Sequence, residues 1–195
     1  MRPDVLFALF WSTFAVSWLV AARWSSPSVK RHTTGLVWLS LILLVLGILL
    51  IMEQPWAWLK IPRLWSVGRT GAYVLALLTL PGFLFAWWAR IHLGRLWSGT
   101  ITRKEGHRLI VSGPYAIVRH PIYTGLLEAS LVSAIANGRG SALLGFVMMA
   151  LGLWLKAQSE ERFLIQELGL EVYEAYRRQV PMLLPFAGMS KFVRQ

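Results

Sequence analysis

The 195-residue chain contains no cysteine, which excludes a disulfide scaffold, a thiolate-held metal or cluster, and a thiol nucleophile. It is also poor in charge: 15% of residues are charged, where a soluble domain carries roughly 25%. That leaves too little polar surface for an ordinary soluble globule. Acidic residues are scarcest, nine against twenty Lys and Arg, for a net charge of +11. Intrinsic disorder is excluded by the 56% apolar fraction, because low hydrophobicity is its signature. Internal repeats and low-complexity tracts are absent. What the chain has in excess is tryptophan, eleven residues of a type that favours the membrane–water boundary.

About 20 consecutive apolar residues carry a helix across the hydrocarbon core of a bilayer. Val5–Ala22 is uncharged, and no small-residue cleavage site follows it, so it reads as a retained span rather than a signal peptide. Gly35–Met52 carries no charge at all. Thr70–Ala89 contains Pro81-Gly82, which predicts a kink that a membrane bundle tolerates. Pro121–Ala136 and Gly140–Leu155 are shorter, 16 residues each, or ~24 Å at ~1.5 Å per residue. The Asn137-Gly138-Arg139-Gly140 turn makes them a helical hairpin. The expected fold is all-α: a polytopic bundle of about five transmembrane helices. Residues 1–90 hold the first three helices. Residues 91–195 hold a connector, the hairpin 121–155 and a charged C-terminal helix over 157–180.

Five spans place fifteen basic residues on one side and only Arg2, Lys60, Arg63, Arg69 and Arg139 on the other. A Lys/Arg excess marks the cytoplasmic face. The Ile91–His120 segment and the C-terminus are therefore expected in the cytoplasm, and the N-terminus outside. Positive charge spread along membrane-flanking loops suits anionic lipid headgroups and not nucleic acid. A short chain without a eukaryotic targeting signal fits a prokaryotic inner membrane.

Two stretches concentrate chemistry, His107–Gly125 and Lys156–Gly169, the second followed by Tyr173 and Tyr176. Tyr115 and Arg119 lie four apart, as do His120 and Thr124, so each pair is expected to share a helix face. Pro121 suits a first helical turn. That puts His120 near an N-cap, where free N–H groups favour an anion such as a carboxylate. Lys156 and Glu160 are also four apart, where the fifth span leaves the membrane. If the two stretches meet, they place an aromatic, a histidine, a cation and two carboxylates in one membrane-surface zone. Plain readings stand beside these. Arg119 and Lys156 can be snorkelling cations, Tyr115 and Tyr123 interface anchors, and Glu160-Glu161 a solvated helix face. Glu128 lies inside the fourth span, where a carboxylate is costly. It is a candidate for an acceptor pocket or for a structural hydrogen bond between helices. No metal is expected.

The run His107, Leu109, Ile110, Gly113, Tyr115, Arg119, His120, Pro121 and Tyr123 resembles the H-x-L-V-x-x-G-x-Y-x-x-x-R-H-P-x-Y pattern of the isoprenylcysteine carboxyl methyltransferase family, with Val replaced by Ile110. Glu160, Glu161, Leu164, Gly169, Tyr173 and Tyr176 resemble the second half of its signature, and Leu93, Gly94, Trp97 and Ser98 its lead-in. The likeness covers roughly residues 91–185. It implies S-adenosylmethionine as cofactor, held by Thr100, His107, Arg108, Leu109, Ile110, Tyr115, His120, Pro121, Ile122, Tyr123 and Glu160. It also implies a cytoplasmic pocket closed by the C-terminal helix and a lipidic acceptor entering sideways between spans. Arg119, Lys156 and Glu128 are the candidates to act on that acceptor.

Methyl transfer from a sulfonium is an in-line displacement, so the protein mainly aligns donor and acceptor and excludes water. A carboxylate acceptor is already ionised near neutral pH and needs a cation to hold it, whereas an amine needs a base. Lys156 stands where the family's carboxyl methyltransferases have an arginine, and Met182 where they often have another. Lysine holds a carboxylate as a point charge, without arginine's fork. The expected acceptor is therefore lipidic or small and apolar: a prenylcysteine-like carboxylate, a lipid amine, a hydroxyl or a thiol. The alternatives are an NADPH-dependent membrane reductase of the sterol-reductase kind and a non-catalytic membrane protein. Against the reductase, Pro121-Ile122-Tyr123 lacks the Asn usual before that tyrosine.

Overall fold

A backbone in hydrocarbon must satisfy its own hydrogen bonds, so uncharged runs become helices. The computed structural model describes residues 1–25, 28–31, 34–52, 62–97, 102–104 and 109–185. Helix α1 (Pro3–Ala21) opens with Pro3 and Asp4 in its first turn, both suited to a helix start. Helix α2 (Gly35–Ile51) is built almost wholly of aliphatic residues. The third apolar run breaks at Thr79 into α3 (Gly68–Leu78) and α4 (Leu80–Leu93). There the Thr79 N–H and hydroxyl both donate to the Ala76 carbonyl, at 3.2 and 2.7 Å. The expected kink falls two residues ahead of Pro81, which has no N–H to continue the ladder.

Helix α5 (Pro121–Asn137) starts on Pro121 and stops at Gly138, which takes a left-handed φ of 70° that only glycine adopts freely. Helix α6 (Gly140–Leu168) runs 29 residues without interruption, and α7 (Leu170–Gln179) follows a break at Gly169. The sequence suggested a span ending near Leu155 and a separate C-terminal helix from 157. Instead the two are one helix as far as Leu168, because nothing between Leu155 and Gly169 breaks it. At ~44 Å it outreaches a hydrocarbon core of ~30 Å, so its last turns carry Lys156, Glu160, Glu161 and Arg162 beyond the apolar stretch. A short antiparallel ribbon, β1 (Ser28–Arg31) on β2 (Thr102–Lys104), is the one sheet among the described residues.

Three helical stretches are long and apolar enough to cross a membrane: Pro3–Trp24, Gly68–Leu96 and Gly140–Leu168. Gly35–Ile51 is apolar but shorter. Large apolar side chains stand exposed on the bundle's outside, among them Leu19 on α1, Trp38 and Val45 on α2, Leu84 on α4 and Val147 on α6. Water would penalise such a surface and lipid would not.

Small residues set how closely the helices cross. A Cβ added to Gly47 of α2 would sit 2.6 Å from the Gly145 carbonyl oxygen of α6. Gly82 of α4 and Gly125 of α5 likewise leave no room for a side chain between their backbones. Helix α1 docks through aromatics, with Phe14 stacked on Phe83 at 4.7 Å and the Trp11 indole donating to Ser133 Oγ at 3.0 Å. Arg90 is fully buried at the end of α4. It donates to the carbonyls of Ala21 and Gly94 at 2.6 and 2.7 Å and lies 4.3 Å from the Trp97 ring. It ties the end of α1 to that of α4.

Candidate functional site

The site forms where the first turn of α5 meets the last turns of α6. Gly113, at φ 60°, starts a short turn over Gly113–Ala116. This turn fixes Tyr115, whose carbonyl accepts the Tyr176 hydroxyl of α7 at 2.6 Å. Tyr115 therefore lies in a turn and Arg119 in a bend beyond it, not on one helix face as their spacing suggested. The N–H groups of Arg119 and His120 donate to the carbonyls of Pro181 and Met182 at 2.8 and 3.0 Å. Thr124 Oγ1 donates to the Leu183 carbonyl at 2.6 Å. The C-terminal strap thus pins the chain that leads into α5.

Five side chains interlock above the strap. Tyr123 donates to Glu160 Oε1 at 2.6 Å and stacks on His120 with ring planes 2° apart. His120 Nδ1 lies 3.6 Å from Glu160, and its Nε2 3.1 Å from Glu161. Arg119 Nε donates to Glu161 at 2.8 Å, and its Nη1 donates to the carbonyls of Arg177, at 3.3 Å, and Val180. Arg119, His120 and Glu161 are buried, whereas the Glu160 side chain keeps 23% of its exposure. Burial opposes charge on His120, but the hydrogen bonds and charges of Glu160 and Glu161 outweigh it. The imidazole is held above its ordinary pKa. Lys156 Nζ stands 5.5 Å over the Tyr123 ring.

Glu160 faces a cavity of about 1630 Å³ that continues along the bundle interior to its opposite end. Of the residues expected at the site, Leu109, Ile110, Tyr115, Arg119, His120, Ile122, Tyr123, Lys156 and Glu160 line it. Pro121 is fully buried at the α5 start and shapes the turn without reaching the cavity. Thr100, His107 and Arg108 lie outside the described residues. Glu128 is not brought to the cavity: it packs in the α4–α5 crossing against Gly82. Trp18 and Leu153, which carry no mark in the sequence, also line the cavity, as does Leu164 of the signature. The sequence reading missed that Glu161, and not Glu160, partners Arg119. Periodicity does hint at this, since consecutive helical residues point about 100° apart, so only one of the pair can face the cavity squarely.

Apolar helices around a long cavity, with a buried ionic cluster at one end, mark an integral membrane protein. Comparison with known proteins narrows the class. The model of the isoprenylcysteine carboxyl methyltransferase (ICMT) family matches residues 72–166, which hold the His120 and Glu160 stretches. Methanethiol S-methyltransferase 2 of Bradyrhizobium diazoefficiens is 31% identical, over 91% of this chain and 71% of that protein. The cobalt-zinc-cadmium resistance protein CzcN of Cupriavidus metallidurans is 28% identical, over 80% and 65%. Protein-S-isoprenylcysteine O-methyltransferase of Schizosaccharomyces pombe is 30% identical, over 63% and 51%. The chain belongs to the isoprenylcysteine carboxyl methyltransferase family. It spans between about half and seven-tenths of the length of these relatives.

Proposed function

We propose that this chain is an integral-membrane methyltransferase that uses S-adenosylmethionine and acts on a lipidic or small apolar acceptor. The observation that carries the reading is the Glu160 carboxylate on the cavity wall, held by Tyr123 and His120. The donor set suits the cofactor. A carboxylate and the aromatic faces of Tyr115 and Tyr123 balance a cationic sulfur, and Leu109 and Ile110 offer an apolar wall to a flat base. When bound, the cofactor supplies an electrophilic methyl group. The protein's share is placement: Glu160 and His120 orient, the C-terminal strap over α5 excludes water, and the apolar cavity beyond Ile122 and Leu126 receives the acceptor.

Lys156 favours an acceptor that reacts as an anion, a carboxylate or thiolate, because an ammonium on the wall stabilises negative charge and disfavours a second ammonium. The names of the relatives, one acting on methanethiol and one on isoprenylcysteine, are both of that kind. Arg119 takes a positioning role through Glu161 and the strap, and Glu128 a structural one between α4 and α5. We read α2 and α5 as crossing the membrane with the three longer stretches, giving five spans. The fifteen-to-five division of basic residues supports a cytoplasmic Glu160 end.

Calorimetric titration of the detergent-solubilised protein with S-adenosylmethionine and its demethylated product tests the reading. Micromolar binding that is lost in Glu160→Ala, in protein that still melts cooperatively, supports it. No binding to folded protein overturns it, and reduced nicotinamide nucleotide becomes the next ligand to titrate.

A further inference from the structure

The cavity has a second polar end, which methyl transfer does not use. Arg2, Arg63, Arg69 and Arg139 all line it there. Among the described lining residues the acid at this end is Asp4, paired with Arg2 at 3.0 Å. These arginines are four of the five basic residues on the sparsely basic side of the chain. Cations that merely snorkel would scatter around the rim; these border one opening. Their mounting is firm. The Leu64 N–H donates to the Gly138 carbonyl at 2.7 Å, and the Trp65 indole to the Ile135 carbonyl at 2.9 Å. Arg63 and Arg139 face each other in an antiparallel backbone bridge. The segment before α3 is thus fixed to the α5–α6 turn.

Between the two polar ends the cavity wall is apolar, formed by Phe14, Leu44, Ile48 and Met149. A ligand matched to an arginine cluster that opens onto a long apolar channel has an anionic head and a hydrocarbon body. Arginine's planar fork suits phosphate oxygens. The amino ends of α1, α3 and α6 open at the same mouth and add the same sign of potential. We propose that this end binds the phosphate headgroup of an anionic membrane lipid, with an acyl chain lying along the apolar middle of the cavity.

The test uses the full chain in mild detergent, with tryptophan fluorescence as readout, since Trp11 and Trp18 line the channel. The probes are phosphatidylglycerol with brominated chains, phosphatidylcholine with the same chains, and inorganic phosphate. Phosphatidylglycerol is expected to quench at about tenfold lower concentration than phosphatidylcholine. Arg2→Gln combined with Arg69→Gln should remove most of that preference, as loss of charge-assisted bonds predicts, and leave S-adenosylmethionine titration unchanged. Arg2→Gln alone, at an exposed position near the chain start, gives a smaller loss in the same direction if the double variant does not fold. Equal quenching by the two lipids, or a preference unmoved by either variant, overturns the proposal. Displacement of phosphatidylglycerol by inorganic phosphate at the same concentration overturns the lipid assignment in favour of a free-anion site.

Discussion

His120 stands between consecutive carboxylates of α6, its Nδ1 3.6 Å from Glu160 and its Nε2 3.1 Å from Glu161. A neutral imidazole has one N–H and can serve one of them; the imidazolium serves both. This is why the folded protein raises the His120 pKa although burial opposes it. A group whose pKa is raised on folding stabilises fully below its unfolded value, about 6.5, and the contribution is lost as pH climbs through the folded value. The melting temperature of the wild type in detergent should therefore fall as pH is raised from about 6 into the alkaline range. His120→Gln should melt lower at the acidic end and show a flatter profile. Parallel profiles for the two proteins would place the pH dependence elsewhere.

Glu160 and Glu161 are neighbours in sequence with different tasks. Glu161 is buried against Arg119 at 2.8 Å, and breaking a buried pair by removing one partner costs about 3–5 kcal/mol. Glu161→Gln should lower thermal stability by that order, and Arg119→Met should lower it similarly. Glu160→Gln should cost far less stability and abolish cofactor binding. Paired melting and calorimetry on the two glutamine variants read this split directly. Equal stability losses with equal binding would refute it.

Lys156 lines the cavity beside Tyr123. If it holds an anionic acceptor, Lys156→Met should leave S-adenosylmethionine affinity within about twofold and reduce turnover of a carboxylate or thiol acceptor by tenfold or more. Lys156→Arg should restore part of it. An amine acceptor turned over better by Lys156→Met than by wild type would reverse the assignment of acceptor charge.

Much of this was legible in residue order. Pro121 after His120, the uncharged runs and the two clustered stretches led to the helices and to the meeting of α5 with α6. Three things were not legible, each for a physical reason. Helix α6 runs on past its apolar stretch because lysine and glutamate are as good helix formers as leucine, so hydropathy falls where the helix does not. The strap depends on backbone carbonyls of Pro181 and Met182, and backbone partners leave no mark on side-chain pattern. Arg90 looked like every other flanking arginine. Only the fold sets it between Trp24 and Trp97, with the end of α1 to cap. Glu128 shows the same limit: a carboxylate in an apolar run signals either a pocket role or a bond between helices, and only its place against Gly82 favours the second.

The crossing of α4 and α5 positions both His120 and Glu128, and it depends on two glycines. A Cβ added at Gly125 would overlap the Gly82 carbonyl oxygen and crowd Ala86, both of which belong to backbone or to small groups that cannot swing aside. Gly125→Ala should force the helices apart and destabilise the bundle by about 1–3 kcal/mol, the usual cost of overpacking. Gly125→Leu should prevent assembly. Gly35, at the start of α2, has open space around the corresponding position. Gly35→Ala should be neutral or slightly stabilising through helix propensity, which favours alanine. Melting curves of the three variants decide the matter. A Gly125→Ala protein as stable as Gly35→Ala would mean that the two helices do not approach as closely in the membrane as their backbones do here.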